Sequence, residues 1–198
     1  DGADLEAIRV DPAEVAAAPD QVQPEVLEAL EVAAEAVRRH HVGQARAEHR
    51  TEEDGLVVRS LSRPVERAGC YAPGGRAAYP STVLMTAVPA RVAGVDEVVL
   101  CVPPGVDGRI ADVTLAAAAV ARVDAVYAVG GAQAVAAMAY GTETVPAVDV
   151  IVGPGNVYVA LAKREVAGHV GVPSAFAGPS EVVVVADASV PAAFAAVD

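Results

Sequence analysis

Four polar side chains stand beside glycine- and proline-rich turns in this sequence. They are Tyr71 in Tyr71-Ala72-Pro73-Gly74-Gly75, Gln133 in Gly130-Gly131-Ala132-Gln133, Asn156 in Gly153-Pro154-Gly155-Asn156, and Ser180 in Ala177-Gly178-Pro179-Ser180-Glu181. Glycine lets a backbone approach a ligand closely and exposes N–H groups, while a helix N-terminus behind the turn favours a phosphate. The tyrosine offers either a packing residue or a stacking and hydrogen-bonding platform for an adenine or ribose. An amide at a helix start can cap the helix, or turn a donor and an acceptor toward a ribose or a nicotinamide carboxamide. Ser180 is a turn residue or a hydroxyl ligand; it is no hydrolase nucleophile, because Gly178-Pro179-Ser180-Glu181-Val182 lacks the second glycine of GxSxG and no histidine completes a triad. Neither GxGxxG nor GxxxxGK[ST] occurs, and each turn taken singly is compatible with plain punctuation. The turns by themselves point only to a nucleotide-sized ligand.

The elements that must position these residues follow from the apolar pattern. From Glu66 onward, short apolar runs alternate with helix-length segments. RAGCYAP precedes STVLMTAVPARVAG, EVVLCV precedes RIADVTLAAAAVARV, and AVYAV precedes AQAVAAMAYG. DVIV then precedes NVYVALAKREVAG, and EVVVVAD precedes VPAAFAAVD. Continuous rather than alternating apolar strands expect cover on both faces, and strand–helix alternation implies βαβ units in a mostly parallel sheet flanked by helices. Ligands of such sheets bind beyond the carboxyl ends of the strands, where the four polar residues fall. The start of the chain reads as helical: Asp11-Pro12-Ala13-Glu14 is a helix-start signal, and Leu27, Leu30, Ala34, Val37 and His41 share one face. The adjacent His40 and His41 diverge by about 100° on a helix, so they cannot chelate one ion together; with His49 they read as a solvated helix end.

Composition narrows the partners. A formal net charge of −12 over 198 residues argues against a nucleic-acid backbone or an anionic membrane surface, because like charges repel. The long uncharged run Ala125 to Thr142 is interrupted by Gly130, Gly131, Gln133 and Gly141, and alanine drives insertion too weakly for a membrane span. Cys70 and Cys101 each lie in an apolar run, which suggests neither a disulfide framework nor a cysteine metal site. The opening DGADLEAIRV carries no signal-peptide pattern, and the expected location is cytoplasmic.

Taken together and in order, RPVERAGCYAPGGRAAYPSTVLMTAVPARVAG, EVVLCVPP, VYAVGGAQAVAAMAYGTETVP, VDVIVGPGNVYVALAKREV and AGPSEVVVVAD resemble the histidinol dehydrogenase family from about Arg63 onward. The resemblance implies an incomplete Rossmann-like lobe and a homodimer oxidising L-histidinol to L-histidine through the aldehyde, with two NAD and a bound zinc. Matched motif by motif, Tyr71, Gln133 and Asn156 would contact NAD and Ser180 the substrate. It further implies residues 1–65 as a helical segment opening a first α/β lobe, 66–178 as the NAD-binding lobe, and 179–198 as a strand and helix returning to the first. The family's Gln-Ala-Glu-His zinc segment and its catalytic Glu-His pair would follow Asp198, so this chain is expected to hold the cofactor without catalytic or metal residues of its own. Alternatives are a non-catalytic, truncated dinucleotide-binding module and an unrelated α/β protein whose glycine turns merely end strands.

Overall fold

The apolar runs become short strands buried on both faces. A computed structural model describes residues 7–44, 48–74 and 77–173; Ser180 and the EVVVVAD run lie outside the described residues. The elements are α1 (Pro12–Ala17), a 3-10 turn (Ala18–Gln21), α2 (Pro24–Val42), β1 (His49–Glu53), β2 (Leu56–Ser60), β3 (Arg67–Tyr71), α3 (Pro80–Val92), β4 (Glu97–Cys101), α4 (Asp112–Val120), β5 (Ala125–Tyr127), α5 (Gly131–Tyr140), β6 (Val150–Val152) and α6 (Val157–Val166). Strands β3 to β6 pair in parallel in the order β5-β4-β3-β6, with Ala68 opposite both Val98 and Val150. The expected α/β architecture, a parallel sheet flanked by helices, is what the chain forms.

The strand order explains the layers. The chain steps from β3 to β4 to β5 in one direction, then returns past β3 to place β6 on the far side. Crossovers of one hand therefore land on opposite faces of the sheet. Period-two alternation sorts the side chains accordingly. Ala68, Cys70, Val98 and Leu100 pack with Leu84, Leu115 and the alanines of α4, and α2 covers that layer through Leu30, Ala34 and Val37. Tyr71, Val99 and Cys101 pack on the other side with Val135 and Met138 of α5 and Val159 of α6. Each fully buried Leu, Val or Met contributes roughly 1.5–3 kcal/mol. The run 125–142 is divided between β5 and α5, and no described helix is long and apolar enough to cross a membrane.

Charged side chains close the amino ends of the strands. Arg67 Nε donates to Glu97 Oε2 at 2.6 Å, its NH1 to the Ala147 carbonyl at 2.8 Å, and its backbone N–H to Asp149 Oδ2 at 2.7 Å. Arg91 donates to the carbonyls of Val95, Asp96 and Arg122 and to the Asp124 carboxylate, which also accepts from the Val98 N–H.

Three details differ from the sequence expectation. Residues 49–60, read as part of a helical start, form an antiparallel hairpin, β1 with β2, whose residues are all exposed. Its two-residue turn is Asp54-Gly55 with both φ angles positive (48° and 78°), the geometry that Asp-Gly favours. Helix α5 starts at Gly131, one residue before the run AQAVAAMAYG, and β5 stops at Tyr127, before Ala128 and Val129. The α1 signal yields only six residues, because Pro19 diverts the chain into the 3-10 turn.

Candidate functional site

Strands β3 and β6 are the point where the sheet's winding reverses, and a crevice opens beyond their carboxyl ends. The connections leaving β3 and β6 run to helices on opposite faces, so among the described residues a gap is left between them, which is the usual ligand position in open α/β sheets. The cleft there measures about 820 Å³ and is lined by Tyr71, Pro73 and Gly74, by Pro103 to Val106, by Gly130 to Gln133, and by Gly155, Asn156 and Tyr158. Three of the four residues expected at a ligand, Tyr71, Gln133 and Asn156, thus face one cavity from three strand ends. Ser180 lies outside the described residues.

Tyr71 ends β3 as a buried residue, 3% exposed, on the α5 side of the sheet. Its hydroxyl oxygen accepts the N–H of Gly131, 3.1 Å away, so a strand residue supplies the cap that α5 lacks from its own Gly130. Burial raises the phenol's pKa, with the Gly131 bond pulling the other way. The hydroxyl therefore stays protonated at neutral pH and its hydrogen remains to donate. The loop after β5 lies against the Pro103 turn: a Cβ on Gly130 would stand 2.3 Å from Pro103 Cγ, so only glycine lets these two rims of the cleft meet.

Gln133 is exposed in the first turn of α5, and its Oε1 folds back over Gly131, 2.8 Å from where a Cβ would be. The amide is thus held at the mouth of the cleft rather than buried in its Ala/Val/Met surroundings. Asn156 is the N-cap of α6, not a first-turn residue: Oδ1 accepts from the N–H groups of Tyr158 and Val159, each at 3.1 Å. With Oδ1 spent on the cap, the NH₂ group is left to donate to a ligand. The capping and ligand readings of this amide are therefore compatible, one served by each end.

Sequence reasoning passed over two residues here. Tyr158, 69% exposed at the rim, adds a second aromatic surface; its signal was a large aromatic directly behind a helix cap. Lys163 lies beneath the loop, only 3% exposed, and donates from Nζ to the Gly153 carbonyl at 2.5 Å. Its signal was helical spacing, since seven residues from Asn156 bring it back to the same face about two turns on. Cys70 and Cys101 sit on opposite faces of the sheet. Burial pushes their thiols up to about 11 and about 12, which leaves neither as a nucleophile.

The cleft fits a dinucleotide. Its volume is in the range of small-molecule sites, its rims are backbone and glycine, and its polar groups are neutral donors and acceptors suited to ribose, amide and adenine edges. Zinc does not fit what is described: among the described residues no three His, Cys, Asp or Glu side chains are grouped to hold a metal ion. His40 and His41 meet edge to face with ring centroids 5.1 Å apart, and Gln44 bonds to His40 at 3.0 Å.

Comparison with known proteins gives one result throughout. The family model described as histidinol dehydrogenase matches residues 1–198. A histidinol dehydrogenase from Dehalococcoides mccartyi is 50% identical over 198 residues, all of this chain and 45% of that protein. One from Pseudomonas aeruginosa is 60% identical over 161 residues, 81% of this chain and 36% of the relative. The crystal structure of histidinol dehydrogenase from Elizabethkingia anophelis superposes with a TM-score of 0.83 at 38% identity, over 89% of this chain and 41% of that one. The chain spans less than half the length of these relatives.

Proposed function

The chain belongs to the histidinol dehydrogenase family, and from that premise we propose that its cleft holds NAD for the oxidation of L-histidinol to L-histidine through the aldehyde. One observation carries this reading: Tyr71, Gln133 and Asn156 leave three different strand ends and line the same cleft at the sheet's winding reversal. When bound there, NAD supplies the hydride acceptor. Tyr71 offers a ring edge and one hydroxyl hydrogen to a ribose or adenine, held in place by the Gly131 N–H. Gln133 presents both ends of an amide at the mouth, and Asn156 its NH₂ group. Ser180 is proposed as the substrate contact.

The division of labour follows from the sequence. Residues 66–178 act as the NAD-holding lobe of a dimeric cytoplasmic enzyme, while the zinc ligands and the acid–base Glu-His pair that the family resemblance implies match no residues of this sequence. Calorimetric titration of the chain with NAD tests the cleft. Gln133→Ala and Asn156→Ala are each expected to weaken binding roughly tenfold, the worth of about one hydrogen bond. Unchanged affinity in both variants would sink the assignment. NADH production from L-histidinol by the purified chain would overturn the division of labour.

A further inference from the structure

Lys163 is the one charged side chain buried among the described residues. Its stem runs back along α6 toward the helix N-terminus, the direction helical side chains take. The ammonium meets the carbonyl of Gly153, the residue directly after β6. Gly153 has φ +110°, a conformation side chains rarely adopt, and its Cα lies so close to β3 that a Cβ would stand 2.0 Å from the Tyr71 carbonyl oxygen. Tyr71 in turn reaches Gly131 through its hydroxyl. Lys163, Gly153, Tyr71 and Gly131 thus form one connected line under the cleft, joining α6, β6, β3 and α5.

A buried ammonium is a costly way to fill space. A methionine of similar size would occupy the same volume without the desolvation penalty, but it would leave the Gly153 carbonyl without this donor. Burial draws the lysine's pKa below its ordinary value, and the bond survives that shift because a neutral amine also donates.

We infer that Lys163 is a positioning residue for the dinucleotide cleft: by holding the Gly153 peptide it fixes the 153–156 loop against Tyr71, so that Asn156 presents its amide at the right place. This rests on the reading of the cleft as an NAD site. The experiment compares the wild-type chain, Lys163→Met and Lys163→Arg by NAD titration and by amide hydrogen exchange. In the methionine variant NAD binds roughly tenfold more weakly and residues 153–156 exchange faster, with β3, β4 and β5 as protected as before. Arginine, which can still donate to the Gly153 carbonyl, recovers most of the affinity.

Wild-type affinity together with unchanged exchange at 153–156 in Lys163→Met overturns the inference. So does loss of protection across the whole sheet, since Lys163 would then hold the fold rather than the loop. A methionine variant too unstable to titrate counts as that second outcome unless the wild-type chain, labelled with ¹⁵N-lysine, shows a protected Lys163 resonance that moves on adding NAD. A wild-type chain that binds no NAD overturns the cleft reading instead, while the exchange comparison still decides whether Lys163 fixes the loop.

Discussion

At the amino ends of the parallel strands, charged side chains are spent on one another and on backbone groups: Arg67 on the Glu97 carboxylate and the Ala147 carbonyl, Asp149 on the Arg67 N–H, Asp124 on the Val98 N–H. At the carboxyl ends the same task falls to uncharged or solitary groups. A tyrosine hydroxyl holds the loop after β5, an asparagine oxygen and one lysine hold the loop after β6, and the Tyr71 hydroxyl hydrogen and the Asn156 NH₂ group are left toward the cleft. One end is tied by charge pairs and side chain–backbone bonds; the other is left with donors unspent beside the larger cleft. The difference separates what keeps the sheet together from what gives it something to bind.

That contrast can be broken or sharpened by mutation. The largest effect is expected from Gly153→Ala, which needs both an unfavourable backbone and a Cβ against the Tyr71 carbonyl. It should lower stability by about 3 kcal/mol or more in urea unfolding; a loss below about 1 kcal/mol would show that the β3–β6 seam yields easily. Asp124→Ala comes next, removing the acceptor for the Val98 N–H and for Arg91. It should cost about 2 kcal/mol yet leave NAD affinity unchanged, and a fall in affinity would erase the distinction between the two ends. Asn156→Ala should lose about 1 kcal/mol with its cap, whereas Gln133→Ala, exposed and uncapping, should stay within about 0.5 kcal/mol of wild type. Equal destabilisation by the two would mean that Gln133 is structural.

The smallest effect concerns the thiols at mid-sheet, which belong to neither end. Cys70 and Cys101 carry pKa values raised to about 11 and about 12, so both should resist iodoacetamide at pH 8 while the chain is folded. The unfolded state releases these protons first, near pH 9, so their contribution to stability is complete below pH 9 and is lost as pH rises toward about 11 for Cys70 and about 12 for Cys101. Rapid alkylation at pH 8, followed by mass spectrometry, would show that the sheet opens readily.

The carboxyl end of the sheet was legible in the sequence because its signals are local. Apolar runs of strand length announced β3 to β6, and Gly-Gly-Ala-Gln or Gly-Pro-Gly-Asn announced the turns behind them. The amino end was not, since its partners stand far apart in the chain: nothing in the local pattern joins Arg67 to Glu97, 30 residues on, or to Asp149, 82 residues on. Lys163 stands beside Arg164 and Glu165 in a charged run, where its seven-residue spacing from Asn156 is a weak signal that the packed structure resolves by turning it inward. The β1–β2 hairpin was readable, with Asp54-Gly55 at its centre, but the charged HRTEE before it lacks the apolar alternation by which strands are usually recognised.

The order β5-β4-β3-β6 also has a temporal meaning. Pairing β3 with β4 closes a loop of about thirty residues, while pairing β3 with β6 must wait for a chain end more than eighty residues away, at greater entropic cost and with nothing local to hasten it. Among the described strands the seam beneath the cleft is therefore expected to assemble last, and pulse-labelled refolding should protect Ala72, whose N–H donates to the Cys101 carbonyl, before Asp149, whose N–H donates to the Arg67 carbonyl. A binding cleft placed over that seam is expected to complete only after the rest of the described sheet, so a ligand that binds it favours the last pairing to form.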